Sequence, residues 1–263
     1  MWSQPSHQAV GLSAAPADYL AAVNNPYARD ACNSLAIERF RVTNKFIERA
    51  ASIGWNPAQS QADERSLYAL AARGCRRARI EVEAFIARAL SGANAGIAAS
   101  RDHRNEYFEL LAPSVTAGIR QARDMAGYRA HLDDLQNAAH VPPLAEVARD
   151  MMPAMWELLE SEPKACEIRG HFLFVFTHPC PDGNGRMGKF LMYAIMASGG
   201  YRWTVIELER RSDRVAALGE ASSREHIVLF AECGAASMRR EAELHRAKPR
   251  LGKASARRRR PNR

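Results

Sequence analysis

The chain has 263 residues, 47% of them hydrophobic, which is enough for one large domain or two small ones with a real core. No apolar run approaches the ~20 residues that span a bilayer, and residues 1–15 lack a basic start followed by an apolar stretch, so a cytoplasmic location is expected, with secretion by an unconventional signal left open. The net charge of +8 points to a nucleic-acid binder until it is located: of 37 Lys and Arg, nine follow His245 without an acid, leaving 28 against 29 acidic residues.

The body is therefore nearly neutral, and residues 246–263 read as a basic disordered tail able to touch nucleic acid or an anionic membrane weakly. Cys32, Cys75, Cys166, Cys180 and Cys233 are scattered, with no Cys-x-x-Cys pair. They point to a reducing compartment and to neither a disulfide framework nor a zinc site.

In chain order, residues 1–25 are rich in Ala, Pro, Ser and Gln and read as a flexible N-terminal segment. A folded domain is expected from 26 to 245. Its first helix, over about 33–53, takes Asn33 or Ser34 as cap, spaces Ile37, Phe40, Ile47 and Ala51 helically, and ends at Gly54 before Pro57. Residues 61–126 predict two or three bundle helices: Ile80, Val82, Phe85, Ile86 and Leu90 share a face before Gly92, and Tyr107, Phe108, Leu110, Leu111 and Val115 continue the pattern. Gly127-Tyr128-Arg129 to Pro142-Pro143 breaks the periodicity, and the two prolines force an extended approach to the next helix. Leu144–Glu160 predicts an amphipathic helix bent at Pro153, and Ala165–Thr177 a helix that delivers His178. His171, on the same face as His178, reads as a packed histidine and not a ligand. Trp203–Ile206 reads as a brief extended piece.

Chemistry is concentrated in His178-Pro179-Cys180-Pro181-Asp182-Gly183-Asn184-Gly185-Arg186-Met187-Gly188-Lys189. Glycines on both sides of Asn184 permit positive φ and close backbone approach, and the helix that follows turns its free N–H groups toward the turn, which suits an anion. Histidine is the side chain fitted to proton transfer near neutral pH, aspartate can hold a hard cation, and Arg186 and Lys189 can neutralise phosphate. Gly183–Lys189 also fits the Gly-x4-Gly-Lys pattern of a P-loop, but Phe190 stands where the Ser or Thr for magnesium belongs, and the alternating strand and helix pattern is missing.

This segment resembles the signature of Fic domains, His-x-Phe-x-Asp/Glu-Gly-Asn-Gly-Arg-x-x-Arg, whose proteins transfer AMP from ATP to hydroxyl side chains of proteins. His178, Asp182, Gly183, Asn184, Gly185 and Arg186 match it, while Cys180 replaces the Phe and Lys189 the last Arg. The resemblance implies an all-α, Fic-type helical bundle with a short β-hairpin flap. It implies His178 as general base on a Ser, Thr or Tyr hydroxyl of a protein substrate, ATP as AMP donor, and Mg²⁺ held by Asp182 on the α- and β-phosphates. The nucleotide would lie along Gly183, Asn184, Gly185, Arg186, Met187, Gly188 and Lys189, with Asn184 and the glycine amides at the α- and β-phosphates and Arg186 and Lys189 at the β/γ end. Self-modification and a homodimer are compatible with it.

Three further segments resemble parts of the family. Residues 127–143 resemble the flap, so Asn137, Ala138, Ala139 and His140 should border the site, where Asp133 and Asp134 would repel ATP or favour a basic target. Arg211-Ser212-Asp213-Arg214-Val215 resembles Arg-Ser-Asp-Tyr-Tyr, whose aromatics help bind the nucleotide; Arg214 and Val215 replace them, and Ser222 replaces the usual Asn contact. Adenine is therefore not assured, and a Fic enzyme with another nucleotide or phosphate-containing donor, or a catalytically weak Fic-like binding protein, stays open. Ser34-Leu35-Ala36-Ile37-Glu38-Arg39 resembles the inhibitory motif Ser/Thr-x-x-x-Glu-Gly/Asn, whose Glu reaches the last Arg of the signature. Here Glu38 would reach Lys189, a flexible point charge, and the restraint should be weak.

Overall fold

The computed structural model describes residues 16–247 except 25, 53–54, 57–58, 60–65, 136–137, 162–166 and 225. The described residues form ten α-helices and no strand: α1 Pro16–Asn24, α2 Tyr27–Ile37, α3 Asn44–Ala51, α4 Leu67–Leu90, α5 Ala95–Thr116, α6 Ala145–Ser161, α7 Glu167–Thr177, α8 Asn184–Ser198, α9 Arg211–Arg224 and α10 Val228–Ala247. The bundle is built around α8. Residues Phe190–Ala197 are all buried, so this helix is apolar on every side, as a central helix must be, and α4, α5 and α7 pack directly against it. The expected bundle between 61 and 126 consists of α4 and α5. They bury Val82, Phe85, Ile86, Leu110 and Leu111 but leave Ile80 and Phe108 about half exposed, 49% and 48%.

The folded part starts earlier than the composition indicates. Helix α1 lies inside the segment read as flexible, because Tyr19 and Val23 are both buried in the core and the Tyr19 hydroxyl donates to the Tyr201 carbonyl at 2.9 Å. The basic tail beyond Ala247 lies outside the described residues.

The single helix expected over 33–53 is two helices. Helix α2 begins after Pro26, and neither expected cap acts as one: Ser34 is buried mid-helix, while Asn33 donates to the Arg29 carbonyl and accepts from the Leu208 N–H. It ends at Glu38. The Phe40 N–H reaches back to the Leu35 carbonyl at 2.9 Å and the Arg39 N–H to Ala36 at 2.9 Å, a paired closure that requires Arg39 to be left-handed, at φ 68°. Thr43 then caps α3, its hydroxyl accepting from Phe46 N–H at 3.2 Å. The small residue of the inhibitory motif is thus a backbone requirement that arginine meets under strain. A left-handed non-glycine costs roughly 1–2 kcal/mol, partly offset by the freedom glycine has when unfolded, so Arg39→Gly should stabilise the fold by about 0.5–1 kcal/mol. Thermal unfolding should show a rise of about 1–4 °C.

The flap expected as a hairpin contains no strand among its described residues. Its carbonyls at His131 and Pro143 are taken by the Arg129 guanidinium, and Pro142 and Pro143 have no N–H to give a ladder.

One buried carboxyl yields a pH prediction. Glu106 on α5 sits among Trp156, Phe174, Met187 and Leu191, and burial pushes it from its ordinary 4.5 up to about 8. The folded chain therefore keeps a proton that the unfolded chain releases above about 4.5. Its stabilising contribution is whole below that pH and is lost as pH rises to about 8. Glu106→Gln should leave stability unchanged near pH 4.5 and raise it by a few kcal/mol at pH 8, at about 1.4 kcal/mol per pKa unit. Denaturant melts at the two pH values would show the difference.

Candidate active site

Helix α7 ends at Thr177, and His178 takes a left-handed φ of 48°, with its N–H still bonded to the Phe174 carbonyl at 2.9 Å. Arg129 fixes this end. Fully buried, it donates from Nε to the His178 carbonyl at 2.7 Å, from one terminal nitrogen to His131 at 2.7 Å, and from the other to Pro143 and, at 3.4 Å, Thr177. A cation is favoured where a helix leaves carbonyls unpaired, so Arg129 ties the flap to the loop that carries His178.

Asn184 closes that loop: its Oδ1 accepts from Cys180 N–H at 2.7 Å and its Nδ2 donates to the Cys180 carbonyl at 2.8 Å. The amide also lies 3.2 Å from His178 Nδ1, where the nearer partner is Asp133 Oδ2 at 2.7 Å. Burial alone would raise the Asp133 carboxyl, but the hydrogen bond and charge of His178 hold it below its usual range, so it stays ionised. A carboxylate at Nδ1 keeps the proton there and leaves Nε2 as the free base.

Gly183, at φ 73°, starts α8 with no side-chain cap. The anion site this leaves is filled by the chain's own carboxylate: Glu38 Oε1 accepts from Arg186 N–H at 3.0 Å, and Oε2 pairs with Arg186 Nε. Gly185 makes room, since a Cβ there would come within 3.1 Å of Oε1. Burial pushes the Glu38 carboxyl up against the opposing pull of Arg186. Asp182 Oδ2 meets Arg120 at 2.6 Å and Arg186 at 3.5 Å. Lys189 pairs instead with Asp30 Oδ1 at 3.1 Å, and Asp30 also accepts from Tyr193 at 2.6 Å and Trp203 Nε1 at 3.3 Å.

A cavity of about 420 Å³ joins these parts, within the range of small-ligand sites. The loop and turn line it with His178, Asp182, Gly183, Asn184, Gly185 and Lys189; Glu38 and Asp133 border it, and α9 contributes Arg211, Arg214, Val215 and Leu218. The Arg211 Nε donates to the Ile37 carbonyl at 3.1 Å, joining α9 to the end of α2. Burial, with help from Arg214, lowers His171 to about 3. It donates from Nδ1 to the Gly188 carbonyl at 2.7 Å and accepts from Arg214 at Nε2, a packed, hydrogen-bonded histidine.

No protein-family model matches the chain. Over 104 residues it is 33% identical to "Protein adenylyltransferase Fic" of Nematostella vectensis, a match covering 36% of this chain and about a quarter, 24%, of that protein. Its fold superposes on a Fic domain containing signaling protein from Bacteroides thetaiotaomicron with a TM-score of 0.67 at 15% identity, covering 87% of this chain and 88% of the other. Fic-1 from C. elegans gives 0.62 at 17%, over 91% of this chain and 66% of the other. The chain has the fold of Fic domains. The all-α Fic bundle is thus the observed architecture.

Against that frame of the Fic signature, the structure distributes the expected residues unevenly. Arg186 lies beneath Glu38 and is buried, while Met187 and Gly188 turn to the core, Gly188 against Val175. Glu38 does not reach Lys189. Residue 186 is the one whose N–H ends the first turn of α8 beside Glu38, whereas residue 189 lies nearly a turn further on, under Asp30. Ser34 faces the core side of α2 and does not line the cavity. Asn137 lies outside the described residues; Ala139 packs on Gly219, and Ala138 does not line the cavity. His140 is fully buried, with Nε2 donating to the Phe176 carbonyl at 2.8 Å and Nδ1 accepting from the Ser222 hydroxyl at 2.9 Å, so these two occupy each other.

Four participants were not assigned their roles from sequence: Arg129, Arg120, Asp30 and Asp133. Only Asp133 gave a signal, as an acid out of place in a flap; the other three act across 49 to 159 positions of chain. Among the described residues no group of three His, Cys, Asp or Glu could hold a metal alone, and no helix is long and apolar enough to cross a membrane.

Proposed function

We propose that the chain is a nucleotidyltransferase that attaches a nucleoside monophosphate to a Ser, Thr or Tyr hydroxyl of a protein, with ATP and AMP transfer as the relative's name indicates. The observation that carries this reading is the Asp133–His178 pair, which frees Nε2 beside a helix N-terminus shaped for an anion. Nε2 takes the hydroxyl proton as the oxygen attacks the α-phosphorus. The Gly185 and Arg186 amides of the first turn, with the Arg186 guanidinium, receive phosphate oxygens once Glu38 has withdrawn. Glu38 accordingly acts as a brake, since it fills the place the phosphates need.

Asp182 fits a Mg²⁺ ion in part. Both ion pairs fall on Oδ2, so Oδ1 remains for a cation that characteristically takes one carboxylate plus phosphates and water. Bound there, Mg²⁺ would neutralise charge on the departing pyrophosphate.

The test is incubation with a lysate and ATP labelled separately on the α- and γ-phosphates. Transfer of α-label alone, lost with EDTA, is expected. Transfer of γ-label alone would mean a kinase and overturn the reading.

A further inference from the structure

One wall of the cavity carries a half-buried cation that the transfer chemistry leaves unused. Arg214, on α9, lines the same cavity as His178. One face of its guanidinium lies 5.4 Å over the Phe230 ring. One N–H is spent on His171 Nε2, whose other nitrogen is already donating to the Gly188 carbonyl. Among the described residues no carboxylate forms an ion pair with Arg214, and its remaining N–H groups have no protein acceptor. Burial lowers it only to about 10, so it stays charged at neutral pH.

A half-buried cation in a cavity wall, with N–H groups that no protein acceptor takes, can give them to a ligand that supplies acceptors. His171 sits seven residues before His178 on α7, about 10 Å along the helix, so the Arg214 contact lies a nucleotide's reach from the base at Nε2. Val215 and Leu218 add apolar side chains to the same cavity.

The bases differ in what they offer a guanidinium. Adenine presents an acceptor at N7 beside a donor at N6, so one of two parallel N–H groups would face another N–H. Guanine presents acceptors at both O6 and N7, the pair that arginine grips bidentately.

We propose that Arg214 reads guanine, and that this chain binds GTP ahead of ATP. The inference rests on the nucleotidyl-transfer reading; GMP transfer is then the preferred reaction, and AMP transfer from ATP the slower one. The protein hydroxyl oxygen bonds to the α-phosphorus, the bond from that phosphorus to the bridging oxygen of the β-phosphate breaks, pyrophosphate leaves, and the hydroxyl proton passes to His178 Nε2.

The experiment is calorimetric binding of GTP, ATP, UTP and ITP to the full chain and to its Glu38→Gly variant, with Mg²⁺, followed by transfer from each α-labelled nucleotide. GTP should bind about 10- to 100-fold more tightly than ATP, the size of one bidentate base contact. ITP, which keeps O6 and N7, should match GTP without any change to the protein, and Arg214→Lys should erase the preference while leaving the circular dichroism spectrum unchanged. ATP or UTP binding as tightly as GTP, or ITP falling to the level of ATP, would overturn the proposal. Selective GTP binding with no label transferred would uphold the base reading and sink the transfer reading; transfer favouring ATP would do the reverse.

Discussion

His178→Ala should lower nucleotidyl transfer by about 10²–10⁴-fold, the usual worth of a general base, while the unfolding temperature stays near that of the parent. No neighbour can take over the proton. Asp133 is held ionised but is engaged with Nδ1, and Asp182 is tied to Arg120 and Arg186. The backbone of residue 178 supports the loop through its N–H and its carbonyl, and alanine keeps both groups. Asp133→Asn separates positioning from chemistry: an amide can accept at Nδ1 or donate to it, so the tautomer is no longer fixed and activity should fall less than in His178→Ala. Near-parental transfer by His178→Ala, at an unchanged unfolding temperature, would remove the base assignment.

What the sequence disclosed and what it hid follow one physical division. The signature was legible because Gly183, Asn184 and Gly185 are read locally: a left-handed N-cap, a side chain that closes its own loop through Cys180, and a gap for an oxygen. Phe190–Ala197 is likewise a local run of apolar residues, and the helix it forms is buried on every side. The break after Glu38 was not legible, since Arg39 occupies a left-handed position that glycine normally marks. The partners of the cations were hidden for another reason. Whether Glu38 meets Arg186 or Lys189 depends on how α2 lies across α8, and the one charge pattern is consistent with either pairing until helix packing chooses.

That choice decides the second large effect. Glu38→Gly should raise transfer and self-modification on the order of 10–100-fold, the equivalent of the roughly 1.5–3 kcal/mol carried by a charged hydrogen bond. In the parent a phosphate must displace a carboxylate that accepts the Arg186 N–H and pairs with its guanidinium; in the variant the amide, the guanidinium and the helix dipole are all vacant for it. Glu38→Gln should fall between the two, keeping the bulk and an acceptor but losing the charge. Lys189→Arg discriminates between the two possible locks. If Glu38 held residue 189, arginine there would tighten the pair and lower basal activity. With Lys189 engaged by Asp30, the substitution should leave the ratio of Glu38→Gly to parent activity unchanged, which the double variant measures directly. Equal transfer by parent and Glu38→Gly at saturating nucleotide would show that the carboxylate yields to phosphate without cost, and that Glu38 only closes helix α2.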